Sequence, residues 1–376
     1  MTYLDNAATT TVHPLILEEY RQIAGVYFAN PASPHILGQE TMALLEKSRK
    51  QVLDLLRLSH HRLIFTSGAT ESNNMFLKGA FLSYKNRGNK IITSEGEHPS
   101  VRATLYQLRD YYGAEIVEIP LLPNGKVDKE KFLGAVDNNT IICSLIAVNN
   151  ESGAINEIEE IAKELKKYPK CLFHVDATQA LGKVKINYEN VDALTFSMHK
   201  IHGLKGSGGL VLRQSITLVP LLSGGKQEYN LRAGTVNFPA DYLMPKTIKL
   251  AFEAYDKNIE QIKENRAKLM SFLQNRDELI LNSTMEGSPF IVNFSLKYHK
   301  ASVVVEALAL KGVSVGTSSA CSSRLQNDSA VIFAMTHDHY LAANSIRISM
   351  MYETTSEDID MFINAFTEVL SEVKRD

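Results

Sequence analysis

The sequence predicts an α/β fold: a mostly parallel seven-stranded sheet between helices, with a smaller α+β domain beside it. Three observations predict it. Short apolar or β-branched runs recur along the first two thirds of the chain, and amphipathic stretches of helical period fill the gaps between them. After about Pro245 the pattern changes to a long charged helix followed by a different alternation of strand and helix.

The seven strand runs are 62–66, 90–93, 115–119, 141–148, 172–176, 193–197 and 209–212. Runs such as Ile141-Ile-Cys-Ser-Leu-Ile-Ala-Val148 are apolar on both faces, which a strand covered by helices on both sides requires. Helical periodicity predicts helices over 41–58, 72–85, 100–111 and 157–167. Farther on come a helix over 251–275, a strand over 290–294 and a terminal helix around 357–373. Residues 14–250 are therefore read as the large domain and 251–376 as most of the small one. In a sheet of this kind ligands collect at the carboxyl ends of the strands.

Composition narrows the function. A chain of 376 residues is long enough for two domains, and a net charge of −2 gives no general attraction to nucleic acid or to an acidic membrane. No run approaches the ~18 apolar residues that span a bilayer, and the first residues lack the basic start and apolar core of a signal peptide, so a cytoplasmic location is expected. Three cysteines without a CxxC pair argue against a disulfide framework or a zinc site; no metal is expected. Cys143 and Cys171 fall in strand-like runs and are expected to be buried packing.

The chemistry concentrates at two strand ends. Lys200 follows the run 193–197 and precedes the glycine-rich 203–209, a place where an amine can be held at the mouth of a pocket, as a carbonyl cofactor forming a Schiff base requires. A lone lysine is ordinarily a solvated surface charge. Asp176 ends the run 172–176 upstream, where a carboxylate can pair with a protonated pyridine nitrogen and keep the ring an electron sink. Together they point to pyridoxal phosphate. Gly68-Ala69-Thr70 opens a helix after another strand, so backbone N–H groups and the Thr70 hydroxyl can hold a phosphate, although a plain helix cap reads the same way. His98 lies just past the run 90–93, where an imidazole can stack on a pyridine ring and move a proton. His13, His60, His61, His337 and His339 stand in polar surroundings and are expected on the surface. The glycines of 203–209 have neither Rossmann nor Walker spacing, so no dinucleotide or nucleoside triphosphate is implied.

Nearly the whole chain resembles the cysteine desulfurases of the class V, fold-type I pyridoxal-phosphate family. The resemblance rests on Leu4-Asp-Asn-Ala-Ala-Thr-Thr10, Asn30-Pro-Ala-Ser-Pro-His35, Thr66-Ser-Gly-Ala-Thr-Glu-Ser-Asn-Asn74, Glu97-His-Pro-Ser-Val101, Val148-Asn-Asn-Glu-Ser-Gly153 and His174-Val-Asp-Ala-Thr-Gln179. It continues through Ser197-Met-His-Lys200, Leu231-Arg-Ala-Gly-Thr235, Ser318-Ser-Ala-Cys321 and Ser345-Ile-Arg-Ile-Ser349. It implies that residues 1–13 join the small domain, that Lys200, Cys321 and His98 are catalytic, and that Ala69, Thr70, Ser197 and His199 hold the cofactor phosphate. It also implies that Asn150 and Gln179 contact the cofactor's phenolic oxygen, Asn149 being the competing choice, and that Asn150 and Arg347 bind substrate. Thr235 is similar to a threonine that reaches the phosphate of the other subunit in a homodimer.

Cys321 is flanked by small polar residues with little to bury, the setting of a thiol that attacks sulfur in the site and then offers it outside, though an incidental surface cysteine looks alike. Its distance of 26 positions from Arg347 resembles the long-loop, NifS/IscS-like group. Arg347, on a predicted strand, can grip an α-carboxylate with two N–H groups or serve in an ordinary salt bridge. Thr317-Ser318-Ser319, Met198 and Ile201-His202-Gly203-Leu204 depart from the usual family pattern. The expected reaction takes sulfur from L-cysteine, leaves L-alanine and a Cys321 persulfide, and passes the sulfur to an acceptor protein such as an iron–sulfur scaffold, a transfer-RNA thiolation enzyme or a thiamine-pathway carrier. Selenocysteine lyase, another class V aminotransferase and a non-catalytic sulfur-transfer scaffold are the alternatives.

Overall fold

A computed structural model describes residues 1–317 and 328–374. Its strands are β1 (Thr2–Leu4), β2 (His61–Thr66), β3 (Lys90–Ser94), β4 (Glu115–Ile119), β5 (Thr140–Ile146), β6 (Leu172–Asp176), β7 (Ala193–Ser197), β8 (Gly208–Arg213), β9 (Leu279–Leu281), β10 (Ile291–Leu296), β11 (Val313–Thr317) and β12 (Ser345–Ser349). Seven of them form one sheet in the order β2-β8-β7-β6-β5-β3-β4, in which only β8 pairs antiparallel to its neighbours. All seven strands predicted from the sequence are present. Every residue of β5 and β7 is buried, whereas edge strand β4 buries only Ile119. Helices Ala69–Tyr84, Pro99–Tyr112 and Ile158–Leu165 lie where periodicity put them, and Ile36–Leu56 begins earlier than expected, capped by the His35 ring.

The second sheet has the order β1-β11-β12-β10-β9. Its apolar residues, among them Leu4, Val292, Phe294, Ile346, Ile348, Phe362 and Phe366, make a core of their own. The amino-terminal strand β1 lies parallel to β11 and so reaches this sheet across the length of the sequence. The helix Phe238–Gln274 runs through Pro245, so the change of pattern there is not a break, and the expected domain boundary at 250/251 falls inside the helix. The reason is packing: Phe238, Met244, Ile248, Ala251 and Ile262 enter the core of the large sheet, and Leu269, Met270 and Leu273 enter the core of the small one. Burial at both ends offsets the hydrogen bond that a proline cannot donate.

Cys143 on β5 and Cys171 just before the neighbouring β6 are free and buried, their sulfurs 3.4 Å apart. His61 corrects the surface assignment. It is only 4% exposed, because β2 pairs with β8 and carries the ring inward, where Nε2 lies 2.9 Å from the Val191 carbonyl oxygen. No helix among the described residues is long and apolar enough to cross a membrane.

Candidate active site

Strands β2, β3, β5, β6 and β7 run in one direction, so their carboxyl ends deliver Gly68, His98, Asn150, Asp176 and Lys200 to one edge of the sheet. Asp176 ends β6 opposite Thr195 of β7, and Lys200 closes a single 3₁₀ turn, Met198–Lys200, directly after β7. The Lys200 Nζ donates to the carbonyl oxygens of Ala7 at 2.6 Å and Ala8 at 2.7 Å. The amino-terminal segment thus closes over the lysine.

Asp176 is 2% exposed and accepts hydrogen bonds from Asn73 Nδ2 at 2.8 Å and the Thr178 N–H at 3.0 Å. Among the described residues it makes no ion pair. His98 caps the helix Pro99–Tyr112, its Nδ1 accepting from the Ser100 N–H at 3.1 Å. Burial lowers its pKa; Asp176 opposes that and Lys200 adds to it, which places the ring within electrostatic reach of both. Beside it Glu97 is pushed up to about 8 by burial, despite hydrogen bonds from Ser94 Oγ and the Ile146 N–H.

The helix Ala69–Tyr84 starts at Gly68, which has no side chain to cap it. A Cβ on Gly208 would stand 2.5 Å from the Gly68 Cα, so glycine there lets β8 and the helix start approach closely. Ser197 Oγ accepts from the Ala69 N–H at 2.7 Å. A cavity of about 310 Å³ opens in front, lined by Gly68, Ala69, Thr70, Ser197, His199 and Lys205 among others. His199 bonds Thr9 through Nδ1 and is held down to about 4, first by burial and then by Lys200, Lys183 and Lys205, so it is neutral at physiological pH. Larger cavities elsewhere, one of them among His60, His61 and Arg213 at the opposite strand ends, hold none of these groups.

The two asparagines separate cleanly. Asn149 spends its side chain on its own loop, donating to the Gly96 carbonyl and accepting from the N–H groups of Glu151 and Ser152. The Asn150 amide enters no hydrogen bond among the described residues, which leaves it for a ligand. Gln179 is buried, its Nε2 donating to the Ala7 carbonyl and its Oε1 accepting from Lys183 Nζ, each at 2.9 Å.

Arg347 on β12 is 4% exposed and makes the salt bridge that was one of the two alternatives raised by its sequence. Its terminal nitrogens donate to Asp5 Oδ1 at 2.8 Å and to the Asn150 carbonyl at 3.0 Å, while its Nε–H is buried without a partner among the described residues. A carboxylate would satisfy that donor. Gly316 opposite makes room for the ion pair, since a Cβ there would stand 2.5 Å from Asp5 Oδ1. Glu151 ties the same region to Ser329 at 2.5 Å, and burial raises its carboxyl to about 7.

Thr235 is exposed in a loop that the ion pair of Arg232 with Glu71 holds to the helix start at 2.7 Å. Upstream of it Glu228, Tyr229 and Asn230 all have positive φ, a strained turn kept in place by the buried pair of Arg49 with Glu228. Cys321 lies outside the described residues. Sequence reasoning missed Asn73, Asp5, Glu97 and Lys183; three of them stand inside segments that had been singled out, and Lys183 follows Gln179 by four positions.

A buried carboxylate without an ion pair and a buried guanidinium N–H without an acceptor among the described residues, with a helix start opening on a cavity beside Lys205, fit pyridoxal phosphate and an amino-acid substrate. Residues 2–362 match the family described as Aminotransferase class-V, and the chain belongs to that family. It is 36% identical over 374 residues to the NifS/IcsS protein homolog of Lactobacillus delbrueckii subsp. bulgaricus, covering 98% of this chain and 97% of that protein. It is equally 36% identical to the cysteine desulfurase IscS of Dictyoglomus turgidum, over 99% of this chain and 95% of the relative. Among solved structures, a NifS-like protein superposes with a TM-score of 0.91 at 33% identity, covering 99% of this chain and all of that one, and SspA in complex with cysteine gives 0.79 at 26% identity, covering 93% of this chain and 99% of that one.

Proposed function

We propose that the chain is a pyridoxal-phosphate-dependent cysteine desulfurase that converts L-cysteine to L-alanine and hands the sulfur to an acceptor protein. The observation that carries this reading is the convergence of Lys200 and buried Asp176, which makes no ion pair among the described residues, on His98 at the strand ends that also deliver the Gly68 helix start. The cofactor, when bound, supplies an electron sink for the charge left at the substrate Cα.

The chain's own residues supply the rest. Gly68, Ala69, Thr70, Ser197 and neutral His199 hold the phosphate, with Thr235 of a second copy completing the site in a homodimer. Asp176 keeps a proton on the ring nitrogen, while Asn150 and Gln179 face the ring oxygen. Arg347 takes the substrate carboxylate through its free Nε–H and the terminal nitrogen it shares with Asp5. Lys200, steered by the Ala7 and Ala8 carbonyls, removes the Cα proton, and His98 assists in returning one. The Cys321 thiolate attacks the substrate sulfur; an S–S bond forms as the substrate C–S bond breaks, and alanine leaves after proton uptake. We place the enzyme in the cytoplasm, with iron–sulfur assembly, transfer-RNA thiolation or thiamine synthesis as the destination of the sulfur.

The purified protein should be yellow, sediment as a dimer and form alanine from L-cysteine with persulfide on the enzyme. Turnover of L-selenocysteine alone, or transamination without alanine release, would shift the assignment to a lyase or another class V enzyme. Asp176→Asn is expected to leave the fold intact and to weaken cofactor binding by about 2 kcal/mol or more, on the order of 30-fold in the dissociation constant, because a buried charge pair loses one member. Cofactor titration of the variant reads this directly, and near-normal affinity and alanine formation would remove Asp176 from its role.

A further inference from the structure

We propose that Lys183 is a positioning residue for the cofactor, acting by fixing which way round the Gln179 amide sits. The inference rests on the site reading above. Lys183 lies in the turns after β6, and its side chain is 2% exposed, rare for a lysine without an acidic partner. Its Nζ lies 2.9 Å from Gln179 Oε1, the one hydrogen-bond partner it has among the described residues.

An amide side chain can sit in either of two orientations that differ only in the exchange of oxygen and NH₂. A lysine amine facing it as a donor selects the one with the oxygen toward the lysine. Gln179 Nε2 is thereby turned the other way, where it donates one hydrogen to the Ala7 carbonyl at 2.9 Å. The same carbonyl accepts from Lys200 Nζ at 2.6 Å. The second Nε2 hydrogen has no partner among the described residues and is the one available to the ring oxygen. Lys183, Gln179, the Ala7 carbonyl and Lys200 thus form one connected line from a buried turn to the reacting amine.

Electrostatics agrees with a donor rather than a counter-charge. Burial, with Lys200 and Arg347 adding repulsion, pulls the Lys183 amine down to about 7, so a full positive charge is not what the turn preserves. The i, i+4 spacing of Gln179 and Lys183 in a succession of turns, with the Lys183 N–H bonded to the Ala180 carbonyl at 2.9 Å, sets the reach.

The test is a double-mutant cycle on the full-length protein, read by titrating pyridoxal phosphate into cofactor-free enzyme and by the position of the bound cofactor's visible band. Lys183→Met and Gln179→Leu are each expected to weaken cofactor binding about tenfold, the effect of one lost hydrogen bond in a buried site, and to shift the band alike. The double variant should bind no more weakly than Gln179→Leu alone. Losses that multiply, or a wild-type affinity and band in Lys183→Met, would overturn the proposal. If Lys183→Met does not fold, Lys183→Gln takes its place; its amide faces Gln179 either way, so the same loss is expected, and unchanged binding overturns the idea. A wild-type protein that takes up no cofactor would instead refute the site reading itself.

Discussion

Lys200→Ala is expected to lower cysteine-dependent alanine formation by at least ~10⁴-fold, the upper range for losing a positioned proton-transfer group, and to leave cofactor that washes out on dialysis. Nothing else in the site can substitute at the same place. Among the described residues, Lys200 is the one that donates to both the Ala7 and Ala8 carbonyls, just after β7. Lys183 is turned to Gln179, and Lys205 lines the cavity in front of the helix start at Gly68. Folding should survive, because the Ala7 carbonyl keeps the hydrogen bond from Gln179 Nε2 and the half-buried Ala8 can take water. Borohydride reduction of the loaded wild-type enzyme followed by peptide mapping provides the second reading: the label belongs on Lys200. A label on Lys183 or Lys205 would sink the assignment.

Cys321→Ser should separate a desulfurase from its relatives. The hydroxyl is close in size to the thiol but forms no persulfide, so cofactor binding and the spectral change on adding L-cysteine are expected to persist. Alanine formation should drop to the level of a cofactor-only control, and no sulfur should reach an acceptor. Mass spectrometry of the wild-type protein after one turnover should find 32 Da, the mass of one sulfur atom, added to the Cys321 peptide and absent from those of buried Cys143 and Cys171. Full alanine formation by the serine variant without added thiol would favour a lyase or an aminotransferase.

Much of this was legible along the chain. A parallel strand covered on both faces must be apolar on both faces, so β5, β6 and β7 announce themselves as continuous runs, and the residues that follow them must lie at the ligand edge of the sheet. That is why Asp176 and Lys200 could be found by their position after a strand. It is also why Cys143, inside such a run, and Cys171, at the start of another, are buried.

Other features depend on which layers meet, and a local pattern cannot encode that. Asp5 and Arg347 are 342 positions apart and become partners only because β1 joins the far sheet beside β11. Asn73 reaches Asp176 across 103 positions, from a helix packed over the strand end. His61 looked like a surface residue in a polar stretch, and strand pairing with β8 buried it. The long helix was expected to begin at residue 251, and packing against both cores carries it from Phe238 through Pro245. Which of Asn149 and Asn150 the loop consumes is likewise tertiary: the Asn149 amide bonds to Gly96, Glu151 and Ser152. The sequence by itself determined the strands, the sheet class and the residues next to strand ends, because burial and backbone geometry act over a few neighbouring positions. Tertiary structure alone decided how those residues are partnered, held and tuned, because hydrogen bonds and desolvation depend on what the folded chain brings within a few ångströms.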